Sequence, residues 1–299
     1  MDGMPLTAEH IYHRDETLHG RPDASGPPKV PTGIADLDSI VGGGFPAGST
    51  VLLKGDIGAG MQEYVYTAAS KLAIVREQPH MRQYFLGPAC DASVLPEKIC
   101  YVTFSRPREA ILREVAASFN PEFAAAFAAR TEFRDFSAAY FRHSVVPSGW
   151  TQSESPFGAG SEDLLGSLVE YLDGNAGNAF VAIDSLTDLV AAEAVPLKDL
   201  VTAVKGLQRA AKGWGGIVYL LLTRGILEER YEKSIVDSVD GCLVFEWRTF
   251  ANSSMLQRSI YVEKFTQVLP HLNRDKIARF PAIVTSQQGL VIVYTERVS

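Results

Sequence analysis

Eight residues, Gly55-Asp56-Ile57-Gly58-Ala59-Gly60-Met61-Gln62, constrain this 299-residue chain more than any other stretch. They stand between a short apolar run, Ser49 to Leu53, and a segment from about Met61 to Glu77 in which Val65, Ala68, Ala69 and Leu72 recur at the helical period. A glycine-rich turn that ends a buried strand and opens a helix aims backbone N–H groups at one point, where the helix N-terminus adds partial positive charge. Such phosphate-binding loops carry two glycines with four residues between them, then Lys, then Ser or Thr. Both glycines are present, as Gly55 and Gly60, but Met61 fills the lysine position and Gln62 the hydroxyl position. The lysine neutralises phosphate charge and the hydroxyl ligates Mg²⁺. Methionine supplies neither charge nor donor. Each charge-assisted contact is worth roughly 1.5–3 kcal/mol, so losing two weakens triphosphate binding on the order of a hundredfold or more. No cofactor is required by this pattern, and ATP or ADP with Mg²⁺ is expected only in weakened form.

Strand and helix signals alternate beyond the loop. Ile99–Phe104, Glu132–Phe136, Ala179–Ile183 and Ile217–Leu222 read as strands. Pro107–Ser118, the Leu164–Leu172 region and Leu197–Ala211 read as helices. Continuous apolar strands separated by amphipathic helices predict an α/β fold with a mostly parallel central sheet flanked by helices. After Leu222 the texture changes. Gly241–Trp247, Ser259–Lys264, Ala282–Thr285 and Leu290–Tyr294 predict a C-terminal antiparallel β-meander on one edge of that sheet.

Residues 1–28 are polar, with Pro22, Pro27 and Pro28 near their end, and predict a flexible arm ahead of one domain spanning 29–299. His10, His13 and His19 fall in that arm without sharing a helical face, so a solvated tail is expected there and not a metal site. Residues 78–98 and 144–160 read as insertions. Trp150 in the second is expected to anchor on its own domain, with a partner contact as the alternative.

The charge balance, 35 acidic against 28 basic residues, argues against a surface built for a nucleic-acid backbone. Cys90, Cys100 and Cys242 form no CxxC pair and predict reduced thiols. The longest apolar stretch is too short to span a bilayer and no signal peptide is visible, so no membrane partner and a cytoplasmic location are expected.

The run from Val30 to Gly60 also carries a resemblance. Thr32, Gly33, Ile34, Leu37, Asp38, Gly42, Gly43, Gly44, Pro46 and Gly48 match the segment that leads into the phosphate loop in KaiC-like members of the RecA superfamily. The likeness continues to about Val293, and it implies a RecA-like P-loop fold. It also implies roles. Family members carry F-E-E-P after the second strand, with a glutamate that activates water; here Phe104-Ser105-Arg106-Pro107 replaces both glutamates. A serine without an adjacent base cannot do a carboxylate's work. Asp184, followed by Ser185, matches the Mg²⁺-associated aspartate. In R-S-I-Y-V-E-K-F-T, Lys264 matches a lysine that reaches a neighbouring subunit's γ-phosphate, while Thr266 stands where the family has arginine. An arginine acting in trans contributes about a thousandfold or more in rate.

A preserved frame with an altered centre implies an inactivated ATPase homologue with a regulatory or scaffolding role, in signal transduction, forming oligomers with itself or with active homologues. The alternatives are a sensor that binds ATP or ADP without hydrolysis, and a DNA-repair accessory. Arg224 and Lys264, and also Lys54 and Arg106, are the candidate phosphate-side cations. The competing expectation for Arg106 and Arg224 is that both are ordinary surface charges or form ion pairs with Asp184 or Asp56, an Arg106–Asp184 pair being one that would lock the site free of nucleotide.

Overall fold

Strands covered on both faces need apolar side chains on both, and the central strands of this chain satisfy that. The computed structural model describes residues 27–142, 144–151, 163–191, 195–249, 255–269 and 278–293. The three arm histidines, and most of the arm, lie outside them.

A two-stranded ladder, β1 (Lys29–Val30) with β2 (Phe45–Pro46), brackets helix α1 (Ala35–Val41). Strand β3 (Ser49–Gly55) then enters the main sheet and runs into α2 (Met61–Glu77). The 78–98 insertion is not loop-like throughout. It forms α3 (Arg82–Leu86) and short 3₁₀ turns, and it buries Phe85, Leu86 and Cys90 against the core. Next come β4 (Lys98–Thr103), α4 (Arg108–Ser118), α5 (Pro121–Arg130), β5 (Thr131–Asp135) and α6 (Ser137–Tyr140). After them follow α7 (Leu164–Asn175), β6 (Ala179–Asp184), α8 (Leu186–Ala191), α9 (Leu197–Trp214), β7 (Ile217–Thr223) and α10 (Glu229–Asp237). The chain closes with β8 (Gly241–Thr249), β9 (Leu256–Phe265), β10 (Phe280–Thr285) and β11 (Gly289–Ile292).

Among the described residues the main sheet has nine strands, in the order β11-β10-β9-β8-β3-β7-β6-β4-β5. The strands from β8 to β5 in that order pair in parallel, and β9, β10 and β11 are antiparallel. The meander expected from Gly241 onward is formed by β8, β9, β10 and β11, and β8 joins it to the parallel part of the sheet by pairing with β3. Alternation along each strand divides the core. Val51, Leu53, Tyr101 and Tyr219 face α1, α2 and α5, whereas Leu52, Val102 and Leu220 face α7, α8, α9 and α10. The parallel order places the C-terminal ends of β3, β4, β6 and β7 along one edge, where ligand crevices of open α/β sheets lie.

Helix α5 escapes the sequence reading because its apolar content is mostly alanine. Its local signals are nonetheless sound: Asn120 accepts a hydrogen bond from Phe123 N–H at 2.9 Å and Pro121 opens the first turn. Trp150 is 82% exposed and does not anchor on its own domain as expected. No helix among the described residues is long and apolar enough to cross a membrane.

Candidate functional site

The glycine loop sits where its sequence placed it, between β3 and α2. Gly58 (φ +74°) and Gly60 (φ +115°) take left-handed backbone that side chains disfavour. The loop is held by its carbonyls. Those of Gly55, Asp56, Ile57 and Gly58 accept in turn from Arg224 N–H (2.8 Å), Ala59 N–H (3.0 Å), the Trp247 indole N–H (3.0 Å) and Arg258 Nε–H (3.2 Å). The Ile57 side chain is 84% exposed at the tip.

Met61 does not reach toward a phosphate. It is 4% exposed and packs beneath the loop, so close that a Cβ on Gly55 would stand 3.0 Å from its Cγ and Sδ. Gln62 and Ser105 are half-buried. The residue that takes the lysine position has thus become core, which removes the loop's cation and closes the space under Gly55.

At the end of β6, Asp184 is buried and accepts from the Tyr101 hydroxyl at 2.6 Å. Arg106 reaches the same oxygen at 3.5 Å. Its guanidinium also donates to the Tyr66 hydroxyl at 3.1 Å and pairs with Glu114. The ion pair expected as one alternative for Arg106 is therefore formed. Burial pushes the Asp184 carboxyl above its ordinary value, against the lowering effects of the Tyr101 hydrogen bond and Arg106. Ser185 is turned to Asp188, its hydroxyl 3.2 Å from Oδ2. Removing one partner of a buried pair strands the other. Arg106 is about one-third exposed, which moderates the loss, so Arg106→Ala is expected to lower unfolding stability by about 1–3 kcal/mol. Urea denaturation measures it.

The remaining cations separate. Arg224 lies at the loop mouth, 3.9 Å from Asp56 and 3.8 Å from Glu246, so its charge is shared between two carboxylates. Lys54 points to the other face of the sheet and pairs with Glu263 (2.8 Å) and Glu232 (3.1 Å). Lys264 is not a phosphate-side cation of its own loop. It pairs in register with Cys242, at the opposite end of β8 from Trp247, and donates to the carbonyls of Val236, Asp237 and Val239, closing the end of α10. Thr266 follows it in an exposed turn.

Four contributors escaped the sequence reading: Tyr66, Tyr101, Trp247 and Arg258. The last two are cross-strand partners, with the guanidinium 4.7 Å from the indole centroid and 3.6 Å from Glu63. Their signal was an Arg and a Trp at one register of a hairpin, visible only once the strands are paired.

A catalytic Mg²⁺-triphosphate does not fit these residues. The loop offers no ammonium, the aspartate is already matched by a guanidinium, and neither Ser105 nor Arg106 provides a base. Among the described residues no group of His, Cys, Asp and Glu has metal-site geometry.

No protein-family model and no curated protein matches the chain. Solved structures do. A KaiC-like protein from the hyperthermophilic archaeon Pyrococcus horikoshii OT3 superposes with a TM-score of 0.58 at 17% identity, over 90% of this chain and 100% of that one. The flagellar accessory protein FlaH from Methanocaldococcus jannaschii gives 0.57 at 16% identity, over 87% and 96%. With the sheet order and the loop between β3 and α2, these likenesses establish that the chain has the RecA-like P-loop fold of KaiC-like proteins.

Proposed function

We propose that this chain is a RecA-fold protein that has given up ATP hydrolysis and acts as a regulatory or scaffolding subunit, in signal transduction, assembling with copies of itself or with active relatives. The observation that carries the reading is the Arg106–Asp184 contact. A guanidinium stands against the carboxylate that would attend the metal, at one of the two positions where the family it resembles carries glutamate. Met61 beneath the loop points the same way, since restoring function needs a buried methionine replaced by a charge. Purified protein is expected to release no phosphate from Mg-ATP above background, and Asp184→Asn to leave that rate unchanged, with an active KaiC-like protein assayed alongside. Steady phosphate release abolished by Asp184→Asn defeats the proposal.

A second reading, a nucleotide sensor, draws on the loop itself. The backbone curve survives, and Gly60 opens the 17-residue α2 without a side-chain cap, so the helix terminus can still favour an anion. Titration calorimetry with ADP and ATP, with and without Mg²⁺, separates the two. Micromolar affinity supports the sensor, and no heat at millimolar ligand leaves the scaffold. A nucleic-acid role finds less support, because the basic groups at the loop mouth are already paired with Asp56, Glu63 and Glu246.

A further inference from the structure

Among the described residues, a groove marks the sheet face opposite α2. Between α7 and α9 a groove of about 700 Å³ opens down to the sheet, and Ile183, Leu186, Leu189 and Leu220 form its floor. These four are almost wholly buried at its base, so its accessible apolar surface comes from its sides. Its sides carry Leu165, Val169, Ala203 and Leu207, and Val169 is 53% exposed. The lining runs from Asp163 to Asp173 on one helix and from Asp199 to Trp214 on the other, a length of roughly 15–22 Å. Every charged residue that lines it is acidic: Asp163, Glu170, Asp173 and Asp199. The basic side chains of α9, Lys198, Lys205, Arg209 and Lys212, do not line it.

We propose that this groove docks a basic amphipathic helix of a partner protein, three to four turns long. An apolar floor without convergent polar groups is poorly suited to fixing a small polar ligand. It suits a row of large apolar side chains spaced along one helix face. The acidic rim selects lysine and arginine on the flanks of that helix. Two of the chain's own segments outside the described residues are mismatched in charge. Residues 1–26 carry Asp2, Glu9, Asp15, Glu16 and Asp23 against Arg14 and Arg21, and residues 152–162 carry Glu154 and Glu162 with no base. The groove lies away from the glycine loop, so the proposal stands or falls independently of the ATP reading.

The test uses the full chain and two fluorescein-labelled helical peptides of about sixteen residues. Both have leucine and phenylalanine along one face; one has lysine flanks and the other glutamate flanks. The lysine peptide is expected to bind at least about tenfold more tightly in fluorescence anisotropy, with the preference shrinking as salt rises. Two variants locate the site. At Gly206, which lines the groove, an added Cβ meets nothing within 4 Å, so Gly206→Trp is expected to set a bulky ring at the groove wall of a folded protein, verified by circular dichroism, and to weaken binding about tenfold or more. Glu170→Lys with Asp199→Lys, both on the exposed rim, reverses the charge preference. Binding of neither peptide, equal binding of both, or binding indifferent to both changes overturns the proposal. So does a concentration-dependent dimer that sediments as monomer once Gly206→Trp is introduced, since the occupant is then a second copy.

Discussion

Gly44→Ala is expected to leave little folded protein. Gly44 has φ +110°, and a Cβ there would lie 2.1 Å from the Val30 carbonyl oxygen and 2.6 Å from its carbon. Those atoms are backbone of β1, which pairs with β2 immediately after Gly44, so neither side can swing aside. Val30 is locked opposite Phe45, and Phe45 stacks on Phe265 with centroids 4.5 Å apart. A displaced β1 therefore disturbs the core where the first hairpin meets the end of β9. Backbone strain of about 1–3 kcal/mol combines with overpacking of similar size, giving a loss of about 2–6 kcal/mol. That is a large share of a typical domain's stability. The expected result is loss of soluble yield or a thermal midpoint lower by ten degrees or more, on the order set by such a loss. Gly206→Ala, in open space on α9, is the control and is expected to be neutral or stabilising by up to about 1 kcal/mol.

Asp38→Asn is expected to flatten the pH dependence of stability. Asp38 is wholly buried; its Oδ1 accepts from the Thr32 N–H at 2.8 Å, and Oδ2 has no hydrogen-bond partner. Burial pushes its carboxyl up to about 7, against the lowering effect of the Thr32 contacts. An acid whose folded pKa exceeds its unfolded value near 3.8 holds its proton more tightly when folded. Its stabilising contribution is complete below about pH 4 and is lost as pH climbs to about 7. Between about pH 5 and about pH 7.5 the wild type should lose about 2–3 kcal/mol from this group, and the Asn variant should not. Burial lowers the Lys71 ammonium to about 8; this gives a rise in stability above that pH, so the lower window excludes Lys71, while Asp36 and Asp184, also raised by burial, add a slope that both proteins share. Urea midpoints of both proteins at the two pH values provide the check. A slope equally steep in Asp38→Asn assigns the titration elsewhere.

The central strands β3, β6 and β7 were legible because their apolar runs are nearly unbroken, and Met61–Glu77 emerged with the bounds its periodicity suggested. The direction of β8 was not, since Gly241–Trp247 reads the same whether it pairs parallel or antiparallel; only the α10 crossover decides it. Within the site, the substituted positions and the Arg106–Asp184 pair could be anticipated from a shared frame. The destination of a long side chain could not. Lys54 adjoins the loop in sequence, yet strand alternation turns it to the opposite face, toward Glu232 and Glu263. Lys264 is similar: three carbonyls at the end of α10 claim it, and nothing in R-S-I-Y-V-E-K-F-T announces them.

Four consecutive carbonyls of the glycine loop are occupied by the chain itself. The loop thus needs no guest to assume its curve. An anion arriving there would order nothing, and the usual entropic penalty of shaping a floppy recognition element is absent. Deuterium uptake at the Asp56 and Ala59 amides, which donate to the carbonyls of Phe245 and Asp56, should accordingly be slow in the bare protein.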